Sequence, residues 1–204
     1  KLAIVINEWW DCPIVVDDMT DLQNQVDILE KGIKRAGYAI AKKMDTTVAT
    51  LFSSLNGGTV LGTDGAAFDD DLFISLWEKL NENDCPRENR YLVIDPSCEA
   101  DIMKIDKFVS GDYGEKGAIE NGKIGKRYGC KVFVTNNLVA VSAGTGAYGC
   151  MFHKEAIAMI LQQKPKIDYF PEPLKHQNTV NVTALWGLKK MRDTWGVPFY
   201  TRKA

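Results

Sequence analysis

The apolar positions of this chain repeat at two different periods. From Met19 onward, Leu22, Val26, Leu29, Ile33, Ala36, Ile40, Met44, Val48 and Leu51 recur at steps of three and four. That is the 3.6-residue period, which places one apolar stripe along a helix. The spacing predicts a helix from about Met19 to Ser53, with Asp17-Asp18 as N-cap chemistry and Asn56-Gly57-Gly58 as the stop. Gly32 and Gly37 each cost about 1 kcal/mol relative to Ala, so packing rather than propensity must hold this helix. At 1.5 Å per residue, about 35 residues span roughly 50 Å. A compact globule of this length has a diameter of about 43 Å. The helix is therefore the spine of an elongated subunit or one half of a coiled coil. With Met19, Val26, Ile33 and Ile40 at heptad position a, the e positions are Gln23, Glu30 and Gly37, and the g positions are Gln25, Gly32 and Ala39. Only Glu30 is charged, so no e/g code selects a partner helix, and the spine is the favoured reading.

The remaining segments alternate between strand-like and helix-like patterns. Lys1 to Trp10 reads as a strand, and Pro13 to Val16 as a second extended piece. Phe68 to Leu80 reads as a helix, with Asp69, Asp70 and Asp71 at its positive end. Tyr91 to Asp95 is a short buried strand, and Ser97 caps a helix running to Lys104. Ser110 to Gly129 is Gly-rich and loop-like. Lys131 to Asn136 and Leu138 to Ser142 read as strands, followed by a Gly-rich turn from Ala143 to Gly149. His153 to Gln163 reads as a helix and Pro165 to His176 as irregular chain. Thr179 to Trp186 alternates as a strand that can continue to Met191, and Val197 to Tyr200 is a last extended piece. Strands and helices intermix without a regular βαβ rhythm, which gives an α+β architecture.

Composition narrows the function without naming it. The chain has 204 residues, a formal charge of -2 and 45% apolar residues. These values exclude a collagen, a disordered acidic chain, a disulfide-dense mini-protein and a multi-spanning membrane protein. Near neutrality removes any bulk attraction to nucleic acid or to an anionic membrane. The five cysteines (Cys12, Cys85, Cys98, Cys130 and Cys150) are odd in number, widely spaced and lack a C-x-x-C. With His153 and His176 the only histidines, a zinc site is poorly supplied, and the cysteines read as reduced, packed thiols. The chain opens at Lys1 directly into an apolar run, which we read as the interior of a longer polypeptide.

Motifs with catalytic potential are sparse. Gly144-Thr145-Gly146-Ala147-Tyr148-Gly149 matches G-x-G-x-x-G, but Cys150-Met151-Phe152 after it reads as a strand and not as the helix that would receive a pyrophosphate. Gly117 to Lys123 matches the first seven positions of a P-loop, yet Ile124 stands where a Ser or Thr would ligate magnesium. Asn121-Gly122 is instead a hairpin signal. Lys123, Lys126, Arg127 and Lys131 make a local basic stretch that reads as a solvated turn or a surface meeting acidic groups of a neighbour. No G-x-S-x-G occurs, His153 reads as a cap or surface residue, and the five tryptophans read as packing residues.

The order of elements resembles the major capsid proteins of tailed bacteriophages, the Hong Kong 97-type shell fold. The stretches that carry the resemblance are Leu2 to Ile6, then Ile14 to Asp18 running into the long helix with Asp45-Thr46-Thr47-Val48. Next come Arg90 to Pro96, Asn121 to Gly125, Tyr128 to Leu138, and Phe152 to Ala158 as a strand-to-helix step. The resemblance implies a peripheral domain from 1–54 (N-terminal strand and spine helix) completed by return strands over 175–204. It implies an axial domain over 55–174. The turn carrying Asn136, Asn137, Ser142, Gly144, Gly146 and Tyr148 would face the capsomer axis. Leu22, Val26, Leu29, Ile33 and Ile40 would pack the spine. The family's N-terminal arm and most of its extended loop have no counterpart here. The resemblance further implies a virion protein, assembled in the host cytoplasm into pentamers and hexamers around double-stranded DNA. Its partners would be copies of itself together with scaffolding, portal and decoration proteins. No cofactor, no membrane, no sequence-specific DNA contact and no enzyme activity would be involved. The alternatives are a cytosolic nucleotide-binding enzyme using Gly144 to Gly149 and a coiled-coil module built on the Met19–Leu51 stripe.

Overall fold

The computed structural model describes residues 3–17, 28–105, 126–127, 129–142 and 144–203. In chain order the strands are β1 (Glu8–Asp17), β2 (Arg90–Ile94), β3 (Lys126–Arg127), β4 (Cys130–Val134), β5 (Gly146–His153), β6 (Ile157–Glu172), β7 (Gln177–Lys190) and β8 (Gly196–Arg202). The helices are α1 (Ile28–Thr50), α2 (Asp70–Glu82) and α3 (Pro96–Ile102). The chain separates into two compact units: residues 1–47 with 159–189, and residues 48–158 with 190–204.

The first unit is a three-stranded sheet in the order β1-β7-β6. β1 runs antiparallel to β7 from the Glu8–Trp186 pair to the Asp17–Gln177 pair. Alternation then sorts the side chains. Val182, Ala184 and Trp186 of β7 face the same way as Cys12 and Ile14 of β1, and all pack on Ala36, Ile40 and Met44 of α1. The helical glycines have different reasons. A Cβ at Gly32 would sit 3.3 Å from two Ile14 carbons, whereas nothing lies within 4 Å of one at Gly37.

Several expectations are corrected in this unit. The two N-terminal extended pieces are one strand, and residues 3–7 lie outside its ladder. There the chain crosses β7 at Gly187, where any Cβ would collide with the Val5 carbonyl oxygen, and Lys189 Nζ donates to Ala3 O at 2.5 Å. The helix ends at Thr50 and is followed by short 3-10 turns at Phe52–Ser54 and Asn56–Gly58. Its expected first residues, 19–27, lie outside the described residues. The helix expected over His153 to Gln163 and the irregular chain expected over Pro165 to His176 are instead the end of β5, the long strand β6 and a 3-10 turn at Pro173–Lys175. Ladder pairing with β7 overrides the helix-forming composition of 156–161. Pro165 and Pro171 are tolerated because β6 is an edge strand, and Pro13 sits on the other edge, β1.

The second unit is a five-stranded sheet, β3-β4-β2-β5-β8. β2 and β4 are parallel, and the other pairs are antiparallel. Asp69 caps α2 by accepting the Leu72 N–H at 2.9 Å, and Asp70 and Asp71 lie in its first turn. Phe73, Leu76 and Leu80 of α2 bury against Leu92, Ile94, Met151 and Phe199. A second cluster joins Phe52 and Leu55 to Leu138, Ala147 and Cys150. The cap of α3 is Asp95 rather than Ser97: its Oδ1 accepts the Ser97 N–H at 3.0 Å, with Pro96 at the first helical position. Most of the Gly-rich stretch expected over Ser110 to Gly129 lies outside the described residues. Its end turns through Gly129, at φ 82°, so that β3 pairs back onto β4. Leu138 to Ser142 is not a strand; it makes a single bridge, Ala140 to Ala147.

The two compact units and the expected domains, 1–54, 55–174 and 175–204, divide the chain differently in two places. Most of β6 joins the unit holding β1 and α1, because its ladder is with β7. The last residues join the other unit, because β8 pairs with β5 from Gly146–Arg202 to Phe152–Gly196.

Candidate assembly surfaces

The turn between β4 and β5 is built from local backbone bonds and one distant carboxylate. Thr135 N–H donates to Ile94 O at 2.9 Å, which ties the β4 exit to β2. Val141 N–H donates to Gly146 O at 3.0 Å and Tyr148 N–H to Val139 O at 2.9 Å, which closes a hairpin. Asp64 then reaches across: its Oδ2 accepts the Thr145 N–H at 3.0 Å and its Oδ1 the Gly146 N–H at 2.9 Å. Of the turn residues expected at a site, Asn136, Ser142 and Gly144 are exposed, Asn137 and Tyr148 are half-buried, and Gly146 is buried. Ser142, Gly144, Gly146 and Tyr148 belong to the hairpin. Asn136 and Asn137 precede it, with the Asn137 N–H on Thr135 Oγ1 at 3.2 Å. Tyr148 stacks on Tyr200 with centroids 5.7 Å apart. Asp64 was not foreseen, since no local spacing points from position 64 to position 145.

The three-stranded sheet carries the second surface. Along β1 and β7 its helix-facing side packs on α1. On the opposite side stand Trp9, which is 67% exposed, and Val15. Thr183 shares that side by alternation, and its Oγ1 accepts from Gln163 Nε2 at 3.1 Å. Gln163 therefore brings Met159 and Leu161, both exposed, onto the same side. Further along β6, Ile167, Tyr169 and Phe170 are exposed as well. At the tip of the β6–β7 hairpin Leu174 is 98% exposed. That tip is braced. Glu172 takes hydrogen bonds from Lys175 Nζ at 2.7 Å and Gln177 Nε2 at 3.0 Å, and the Lys175 bond leads in holding its carboxyl below the usual carboxylate range.

Of the spine residues expected to pack, Ile40 enters the core of its unit, while Leu29 and Ile33 are only half-buried. Leu22 and Val26 lie outside the described residues. The packed stripe is Ala36, Ile40 and Met44, where Gly32 and Ala36 leave room for β1. That part of the stripe is used against the chain's own sheet and is not left for a partner helix.

The motifs that suggested enzymology are absorbed by the fold. The G-x-G-x-x-G run leads into β5, where Gly146 to Gly149 ladder with β8, so no helix N-terminus follows it. A Cβ at Gly149 would strike the Phe199 ring at 2.5 Å, so this glycine serves strand packing. His153 is buried, edge-on to Trp195 at 5.1 Å, and its Nδ1 accepts the Glu155 N–H at 3.2 Å. Gly117 to Lys123 lies outside the described residues. Among the described residues, no group of His, Cys, Asp and Glu is arranged to hold a metal ion, and no helix is long and apolar enough to cross a membrane.

Comparison with known proteins follows the same line. Curated protein sequences gave no significant match. Mycobacterium phage Che8 provides a similar structure, at 22% identity, covering 96% of this chain and 71% of that one with a TM-score of 0.80. The capsid structure of cyanophage P-SCSP1u matches at 18% identity, covering 98% and 74%, with a TM-score of 0.76. The SrpI encapsulin of Synechococcus elongatus matches at 10% identity, covering 98% and 75%, with a TM-score of 0.65. These likenesses show the Hong Kong 97-type fold. A family model described as phage capsid protein matches residues 14–182, from within β1 through α1 and four strands of the five-stranded sheet into β7. The chain therefore belongs to the phage capsid protein family and is a structural protein, not an enzyme.

Proposed function

We propose that this chain is the repeating subunit of an icosahedral phage head, forming pentamers and hexamers that close around double-stranded DNA. The observation that carries the reading is the uncovered apolar side of the three-stranded sheet, with Trp9, Val15 and Leu161, continued along β6 to the braced Leu174 tip. Monomeric proteins rarely expose apolar groups over one contiguous surface, and an edge strand left open invites another chain. Ring contacts in a shell are heterologous, so this surface meets a different patch on the neighbour. The first unit is then the peripheral domain and the second the axial domain, with the 136–148 turn toward the ring centre. A charge of -2 suits a wall that contains DNA without gripping it. Scaffolding, portal and decoration proteins complete the partner set, and assembly takes place in the host cytoplasm. The SrpI encapsulin fold match raises a protein cage as a second use of this fold; the phage family match favours the phage head.

Replacing Leu161 and Leu174 together by Lys tests the reading. Sedimentation and negative-stain microscopy should show loss of closed particles, with the subunit's thermal midpoint within a few degrees of the parent. Normal particles from the double variant would refute it.

A further inference from the structure

We infer that Asp64 is the positioning residue of the axial turn, a latch that sets the turn's shape before neighbouring subunits meet it; this rests on the axial placement proposed above. The carboxylate engages two consecutive amides, Thr145 N–H at 3.0 Å and Gly146 N–H at 2.9 Å. Successive amides converging on one anion form a concave seat, and charge-assisted bonds of this kind are about twice as strong as neutral ones.

Glycines on both sides make the contact possible. A Cβ at Gly144 would coincide with the Asp64 carboxylate. Gly144 does not need its freedom to reach a positive φ, because its φ is not positive. It is glycine because Asp64 occupies the space. In return, a Cβ at Gly65 would stand 2.7 Å from Thr145 Oγ1. The loop that presents Asp64 is itself held. Gly62 and Gly65 turn through positive φ on either side of it, and Ala66 N–H closes onto Thr63 O at 3.1 Å. Leu61 is pinned to β8, donating to Pro198 O at 3.0 Å and accepting the Tyr200 N–H at 2.9 Å. The turn's geometry is thereby referred to β8 and the sheet, and not left to its own short-range bonds. In a shell, each subunit contributes one such turn, so five meet in a pentamer and six in a hexamer, and a fixed turn shape bears directly on how copies meet.

The test uses the full chain in which the shell forms, with D64A, D64N, G144A and the D64A/G144A double variant. Amide hydrogen exchange is read at Thr145 and Gly146, and assembly is read by sedimentation. D64A should raise exchange at those two amides by about tenfold or more, as expected for losing charge-assisted bonds, while the Met151 and Leu92 amides stay protected. D64N keeps one acceptor and should fall between. G144A should loosen the same amides with Asp64 present and add nothing in the D64A background, since the carboxylate it strikes has gone. Unchanged exchange in D64A, or additive effects in the double variant, would overturn the latch. For the assembly role, the exposed Ser142 is replaced by Trp. If S142W and D64A both impair particle formation, the positioning role stands. If S142W blocks assembly and D64A assembles normally, that role is overturned. If both assemble normally, the axial placement itself fails, whatever the exchange data say.

Discussion

Arg90 opens β2 and is fully buried. Its guanidinium closes the C-terminal end of α2. Nε donates to Pro86 O at 2.8 Å, and Nη2 donates to Asn81 Oδ1 at 2.8 Å and to Cys85 O at 2.6 Å. Its Cζ lies 4.2 Å from the Trp77 ring centroid, and among the described residues Nη1 has no hydrogen-bond partner. The fork ties down two carbonyls and an amide oxygen; the bond to the Cys85 carbonyl is buried and the other two are half-buried. Two substitutions separate the effects. R90M removes the charge, recovering several kcal/mol of desolvation, but leaves the buried Cys85 carbonyl unpaired at about 1–3 kcal/mol and hands the two half-buried acceptors to water. It also loses a cation–π contact of about 0.5–2 kcal/mol. These gains and losses largely offset each other, so R90M should change stability by no more than about 2 kcal/mol. R90K keeps the buried charge on a strongly hydrated ammonium that cannot reproduce the fork, so it should cost about 3–5 kcal/mol. Lysine, the conservative change by charge, should therefore be no better than methionine. Urea unfolding followed by tryptophan fluorescence reads both, with Trp77 directly under the substituted group. An R90K variant within about 1 kcal/mol of the parent would refute the argument, because charge alone would then suffice.

Other predictions rest on separate observations. G37A should stabilise the protein by about 1 kcal/mol in urea unfolding, because Gly37 is an exposed helical glycine with open space around it; a loss of stability would count against that. Burial pushes the Asp193 carboxyl up, but the bonds from Lys190 Nζ and the Gly57 N–H outweigh it and hold it below the usual range. With an unfolded value of about 3.9, its stabilisation is full above that pH and is lost as pH falls through the lower folded value. D193N should thus destabilise at pH 7, with the deficit shrinking as pH falls below the usual carboxylate range, and a deficit that stays the same as pH falls would contradict the assignment. Burial pushes the Cys98 thiol up to about 11 and the Cys150 thiol well above its ordinary value. At pH 8 an alkylating reagent should therefore label the half-buried Cys12 first; labelling of Cys150 at the same rate in folded protein would be the contrary result.

What could be read from the residues depended on whether a pattern was local and whether burial had shaped it. α2 was legible because Phe73, Leu76 and Leu80 face one core and three aspartates mark its start. β2 was legible because alternate residues bury on one side. β6 was not. Most of it is exposed on both faces, so no selection for burial imposes the two-residue alternation, and its Ala, Met and Leu imitate a helix. β5 is buried on nearly every residue, so it too lacks alternation, and its glycines imitated a phosphate loop. The α1 stripe was visible, yet which part of it packs depends on Gly32 and Ala36 meeting a strand drawn from elsewhere in the chain. Asp64 and Gly144 lie 80 positions apart, and only the fold brings them together.

The central claim is that copies of this chain build a shell with the 136–148 turn at the ring centre. Cryo-electron microscopy of particles formed by the full-length protein tests it most directly. The account predicts closed icosahedral particles whose rings of five and six have the Asp64-latched turn nearest the axis and the β6–β7 hairpin toward the ring margin. Particles with the hairpin at the axis and the turn at the margin, or a protein that stays monomeric under every assembly condition, would contradict it.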